Sequence, residues 1–462
     1  MHAAVAAGHP ATADAGVEIL DAGGTAADAA VAACLASCVA ETVMTGLLGG
    51  GHAIYYDAAS GRARSLDCFV AVPGRGVPEW REPELVHLDV PFGEELVHYA
   101  IGPASCAVPG VPAGLDALWR AHGRLPWPRL VEPAVRLAQD GVDFPPAHAA
   151  CLAMLAPVMT MDAGAAIYAP GGELLSPGSR LEQPGLVRAL ELVADEGSAS
   201  VYRGTLARAL LDLMDDRGGL VTRDDLEAYE ATWSEPESVA YAGTTFLTRA
   251  GLSRVPETLA ALPSLRGRTR VDRVLMLVDA FAGDVDTYGD TTNLVVADAD
   301  GNACVFTTSL GLGSGDFVPG LDLHLNSMLG EADLLVGDLR PGTRMASMMA
   351  PSVAVDAAGP VLAIGAAGGT RLRTALVSVA AAILEEGVDP QAAVDLPRFH
   401  PVGSTVHAEP GVDEEALVAL EAQGRSVRRW PDRHHYFGGV SAVTRTSAAA
   451  DPRRSGAARL AR

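Results

Sequence analysis

The chain has 462 residues, 49% of them hydrophobic, and a formal charge of −23, so it can bury a large core while its surface repels phosphate backbones and anionic lipid. It contains no lysine. All 34 basic residues are arginine, which rules out a P-loop lysine, a pyridoxal Schiff base and any lysine nucleophile.

In chain order, residues 10–21 and 25–40 read as two helices joined by Ala22-Gly23-Gly24, the second rich in alanine and broken by Asp28. Gly49-Gly50-Gly51 leads into a strand at His52–Tyr56, and a turn at Asp57–Gly61 returns it as a second strand from Ala63 to Val70. Helical patterns fill about 110–230, with Asp224-Asp225 marking one helix start. The stretch 236–270 reads as irregular, and Val271–Ala282 as helix. Beyond Thr292 the period changes to strand; Val353–Val355 and Val361–Ile364 form a candidate hairpin, and Arg373–Glu385 and Glu414–Gln423 are helices. Ser447–Arg462, small, polar and arginine-rich, reads as a frayed tail. With strands at both ends, helices between and no clear linker, the expected class is a layered α/β or α+β sandwich.

Six cysteines (Cys34, Cys38, Cys68, Cys106, Cys151, Cys304) lie among apolar or small residues without a CxxC pair, so buried free thiols are expected. No HExxH or histidine cluster occurs, so neither a metal nor a cofactor is expected. The N-terminus lacks a charged segment followed by an apolar one, and the alanine-rich run is too small-sided to span a bilayer. A cytoplasmic protein is the expectation, with no nucleic-acid or membrane partner.

One segment carries chemistry: Gly289-Asp290-Thr291-Thr292-Asn293, followed by an apolar strand and an Asp/Gly/Asn turn. Cleavage between Asp290 and Thr291 would leave Thr291 with a free α-amine beside its own hydroxyl. Such an amine titrates at about 7.7–8.0 and serves as a general base at neutral pH. A hairpin centred on position 300 sets residue 309 opposite residue 291, bringing the Ser309 hydroxyl across from Thr291. That pair could relay a proton or merely stabilise a sheet; both predict the same geometry. Gly365-Ala366-Ala367-Gly368-Gly369-Thr370 joins a strand to a helix, which suits an oxyanion hole worth about 3 kcal/mol per donor, a phosphate loop lacking its lysine, or a plain tight turn.

Ordered matches along the chain resemble the γ-glutamyltranspeptidase family of N-terminal nucleophile hydrolases. They include His9-Pro10, Gly24-Thr25-Ala26-Ala27-Asp28, Ala107-Val108-Pro109-Gly110, Gly123-Arg124-Leu125-Pro126-Trp127, Tyr202-Arg203-Gly204, Pro397-Arg398-Phe399-His400, Phe437-Gly438-Gly439-Val440 and Asp451-Pro452-Arg453-Arg454. The resemblance implies an α+β, four-layer αββα sandwich made as a precursor that cuts itself at Asp290–Thr291. The resulting heavy piece, 1–290, and light piece, 291–462, would stay intertwined as one domain. It also implies Thr291 as nucleophile, Ser309 as the helper hydroxyl, Gly368 and Gly369 as the oxyanion pair, and Ser347 as the first of two serines near the site.

The substrate side departs from the family pattern. Phe69 stands where an arginine clamps the glutamyl carboxylate, and an aromatic ring offers no bidentate pair. Gly311 replaces an asparagine, Leu325-Asn326-Ser327-Met328-Leu329-Gly330 lacks the acidic group that meets the substrate ammonium, and Met348 replaces the second serine. Asn293 replaces a histidine, and Arg249-Ala250-Gly251-Leu252-Ser253-Arg254 replaces a Pro-Ser-Ser-Gly-Gly segment. Phe69, Asn293, Gly311, Ser327, Ser347, Met348 and Arg371 are thus the candidate substrate contacts, for a small molecule less zwitterionic and more apolar than a γ-glutamyl compound. Three readings are open: an amidase or acylase working through a threonyl ester; a C–C bond hydrolase removing an oxalyl-type group, as associated with family members in actinomycete alkylproline antibiotic pathways; and a catalytically silent scaffold.

Overall fold

Two antiparallel sheets lie face to face at the centre of the computed structural model, which describes residues 1–77, 84–92, 95–282 and 291–462. The first has seven strands in the order Ala457–Leu460, Ala4–Ala7, Thr292–Ala297, Ala303–Ser309, Gly50–Asp57, Arg62–Cys68, Thr232–Ser234. The second has six, in the order Ala448–Ala450, Gly439–Thr444, Gly359–Ala367, Ser352–Asp356, Thr244–Thr248, Glu237–Tyr241. Helices Pro10–Asp21 and Ala26–Ala40 cover the outer face of the first sheet, and Arg371–Glu386 covers that of the second. The architecture is the α+β, αββα sandwich.

Strand periodicity explains the layering. In Thr292–Ala297, Leu294 and Val296 point into the core shared with the alanine-rich helix, while Val295 and Ala297 meet Val353, Ala363 and Val443 between the sheets. Small side chains let Ala26–Ala40 pack closely, and every one of its residues is buried. Its start is a capping box. The Thr25 hydroxyl accepts from the Asp28 N–H, and Asp28 accepts from the Thr25 N–H at 3.0 Å. The same buried carboxylate accepts from the N–H groups of Arg124 and Leu125, so two separated sequence motifs are one capping site. Asp298, in the hairpin turn after the Thr292 strand, accepts from the Ala26 N–H at 2.8 Å and pins that turn to the helix.

Two expectations are corrected. Residues 236–270 are not irregular: they hold strands Glu237–Tyr241 and Thr244–Thr248 and helix Val255–Ala261. The first of these strands is a short, largely exposed edge, and its turn uses Ala242 and Gly243 at positive φ, so the alternation carries little apolar signal. Ser447–Arg462 is not a frayed tail. Ala457–Leu460 pairs with Ala4–Ala7, and Asp451 and Arg453 are buried in an ion network with Arg398 and Glu409. Polar composition there reflects internal pairing, not solvation. The strand Ala4–Ala7 itself gave no advance signal, because four alanine-like residues carry no period. The six cysteines are buried and free, as expected.

Asp28→Ala should lower stability by about 2–4 kcal/mol, since it strips a buried carboxylate from several N–H donors at once. Urea unfolding of the variant beside the wild type measures this.

Candidate active site

The hairpin register holds as the sequence implied: Thr292 pairs with Thr308 and Asn293 with Thr307. Extended by one step, it sets Thr291 opposite Ser309. Both are buried, on the face that looks between the sheets. One step the other way along each strand, Thr292 and Thr308 face the helices instead: Thr308 Oγ1 accepts from Thr45 at 2.8 Å, and Thr292 donates to Glu41.

Across the inter-sheet space, Gly365 lies against Asn293. Two residues further along its strand, the chain reaches Ala367, Gly368 and Gly369 at the level of Thr291. Both glycines have positive φ, 120° and 58°, and lead directly into helix Arg371–Glu386. Among the described residues neither amide donates a hydrogen bond, so both N–H groups are available at a helix N-terminus. Gly368 has no room for a side chain: a Cβ would come within 2.8 Å of Gly438 Cα. Arg398 holds that neighbour, donating to the carbonyls of Phe437 (3.2 Å) and Gly438 (2.9 Å).

The candidate substrate contacts fall into two groups. Ser309 Oγ accepts from the Gly311 N–H at 2.8 Å, and Ser327 Oγ accepts from the Leu312 N–H at 3.1 Å, so Ser309, Gly311 and Ser327 are contiguous. Phe69 belongs to an apolar cluster with Val70, Met328, Met345 and Met349, and Met348 packs against it. Ser347 joins this second group through the same segment, its hydroxyl accepting from the Met349 N–H. The strand pairing Gly51–Cys68, carried one step on, puts Phe69 in the same cross-sheet row as Thr291 and Ser309, with Gly50 between. Asn293 donates to the Gly439 carbonyl at 3.3 Å, one pleat deeper than Thr291. Arg371 Nε donates to the Tyr436 carbonyl at 3.1 Å, and its guanidinium lies 5.1 Å from that ring. Asp290, the expected cleavage partner of Thr291, lies outside the described residues.

Four charged or titratable groups near the site were not anticipated. Glu41 is fully buried, and desolvation lifts its carboxyl to about 7 although Thr12 and Thr292 both donate to it. Its signal was a lone acid inside an otherwise apolar run. His52 stacks on Phe69 (5.4 Å, 18°); burial first, then Arg249 and Arg344, push its imidazole well below the usual range, so it is neutral. Arg249 reaches the Ser347 carbonyl, at 3.1 Å. Glu331, one residue past the segment that lost its acids, reaches the open side of Gly311 beside Ser327. A shift of a single position hid it.

The two inner antiparallel sheets with helices outside are shared, over 99% of this chain, with a cephalosporin acylase from Bacillus halodurans (TM-score 0.85, 24% identical, 95% of that chain) and with an LmbA protein (TM-score 0.79, 24% identical, 98% of that chain). The fold is that of the N-terminal nucleophile hydrolases. The Gamma-glutamyltranspeptidase family model matches residues 12–269 and 268–461, and the chain belongs to that family of hydrolases and acyltransferases. Among its relatives are the acylase ACY 1 proenzyme of Pseudomonas sp. (strain V22), 28% identical over 95% of this chain and 89% of that protein, and the glutathione hydrolase proenzyme of Bacillus subtilis (strain 168), 26% identical over 91% and 84%. Among the described residues, no helix is long and apolar enough to cross a membrane.

The raised Glu41 carboxyl gives a signed pH dependence. The unfolded chain releases this proton near 4.5 and the folded one near 7, so the stability gained by holding it is complete below pH 4.5 and lost as pH rises to 7. The loss is about 3 kcal/mol, and Glu41→Gln should flatten it. Denaturant unfolding of both proteins between pH 4.5 and 8 reads the difference.

Proposed function

We propose that the protein is a self-processing threonine acylase that cleaves an amide bond in a small molecule other than a γ-glutamyl compound. The observation that carries this reading is the hairpin register, Thr292 with Thr308, which extended by one step sets Thr291 opposite Ser309 near the Gly368-Gly369 turn. Cleavage before Thr291 would yield a heavy piece, 1–290, and a light piece, 291–462. The new α-amine would take the proton from Thr291 Oγ1 as that oxygen attacks the substrate carbonyl. The Gly368 and Gly369 N–H groups would stabilise the resulting oxyanion. Ser309 would hydrogen-bond the nucleophile. The amine leaves with the returned proton, and water then attacks the threonyl ester to free the acid.

Substrate choice follows from the Phe69 cluster. Phe69, Met345, Met348 and Met349 form an apolar wall where a glutamyl group would require a cation at position 69. The relatives named acylase and proenzyme are compatible with both halves of the reading.

The wild type should run as two bands on denaturing electrophoresis, with the lighter one beginning at Thr291, while Thr291→Ala stays at full length. A wild type that stays whole would sink the proposal. In the processed enzyme, Ser309→Ala should lower kcat by about 100-fold. A γ-glutamyl anilide should release no glutamate. Mass spectrometry of products from acylated pyrrolines would move the reading to C–C cleavage if an oxalyl-type fragment appeared.

A further inference from the structure

The helical layer outside the second sheet holds a cavity that takes no part in the candidate active site. It lies between helices Arg270–Ala280 and Arg371–Glu386 and the turns at 396–399 and 411–413. The second sheet stands between it and the inter-sheet space of Thr291 and Ser309. Its volume is about 430 Å³, in the range of small-molecule sites. Most of its lining is apolar: Val274, Leu277, Val379, Ala382 and Phe399 all belong to the core on that face or pack against it. Leu396 also lines the cavity and is 46% exposed, so a bound molecule would cover apolar surface that now meets water.

The charged lining is unbalanced in its hydrogen bonding. Its two acids are both engaged, Glu386 with Arg273 and Asp413 with the Glu415 N–H at 3.1 Å. Its three arginines are not. Arg273 Nε and Arg398 Nε are buried and, among the described residues, have no acceptor. The Arg270 side chain has neither a hydrogen bond nor an ion pair among them. Arg398 is only 5% exposed, and a buried N–H without an acceptor is costly. An apolar enclosure with surplus guanidinium donors matches an apolar chain that ends in a carboxylate.

Arg398 belongs to two places at once. While its Nε lacks a partner at the cavity, its Nη1 donates to the carbonyls of Phe437 and Gly438, and Gly438 lies against Gly368. An acceptor that held Arg398 from the cavity side would therefore steady the arm that fixes the glycine turn.

We propose that this cavity binds a small amphipathic carboxylate, its chain against Val274, Leu277 and Phe399 and its carboxylate on the arginines, and that Arg398 carries the effect of binding to the Gly368-Gly369 turn. This is a second site, independent of which bond Thr291 attacks.

Octanoate and 1-octanol serve as probes, sharing a chain length and differing in the charged end. Calorimetric titration of the full chain should give octanoate a Kd below about 1 mM, at least about 10-fold tighter than octanol. Val274→Trp, which fills the cavity from a half-buried position, should weaken both ligands at least about 10-fold. Arg270→Met should weaken octanoate alone. Thermal unfolding checks that both variants are folded. Equal affinities for the two probes in the wild type, octanoate binding that survives Val274→Trp, or an octanoate preference unaltered by Arg270→Met would overturn the site. Hydrogen exchange followed by mass spectrometry tests the link: octanoate should slow exchange in the segment 437–440 of the wild type and not of Val274→Trp. Unchanged exchange there with octanoate bound would overturn the role given to Arg398.

Discussion

Everything at the candidate site hangs on the register of one hairpin. Thr292 pairs with Thr308, and the turn that sets this pairing is itself tied to a helix start by Asp298 and the Ala26 N–H. Because side chains alternate, a slip of one residue would rotate Thr291 and Ser309 toward the helices and bring Thr292 to the inter-sheet space. The buried Glu41 guards against that slip. It gives Thr292 a hydrogen-bonding partner on the helix side that the other register would leave stranded.

The glycine turn opposite is held by a different kind of force. Arg398, Asp451, Arg453 and Glu409 form a buried ionic cluster, and Arg398 extends it to the carbonyls of Phe437 and Gly438. Gly438 then presses on Gly368. Taking four charges out of water is costly, and apolar packing would stabilise the fold at least as well. What the cluster supplies is placement: directional donors fix a loop that apolar contacts would leave free to slide.

Much of this was legible from residue order. The hairpin followed from an Asp/Gly/Asn turn between two apolar runs, and the helices at 10–21 and 25–40 from their composition and the Ala22-Gly23-Gly24 joint between them. The αββα layering came from chain-wide resemblance, because alternation alone does not say how sheets stack. What escaped reading were contacts between distant segments. Nothing near Arg249 in sequence announces Ser347, and nothing in Ser447–Arg462 announces that Arg453 pairs with Glu409. Glu331 was missed for a smaller reason: it lies just beyond a motif read by strict alignment.

The strand order has a mechanical consequence. Ala4–Ala7 lies between Thr292–Ala297 and Ala457–Leu460, and Thr244–Thr248 is zipped to Ser352–Asp356. Residues from before and after the Asp290–Thr291 bond are thus threaded through both sheets. Were that bond cut, no surface would exist along which the fragments could part. Dissociation would require dismantling both sheets together, so the two pieces would behave as a single body whose lifetime is set by the unfolding rate and not by dilution.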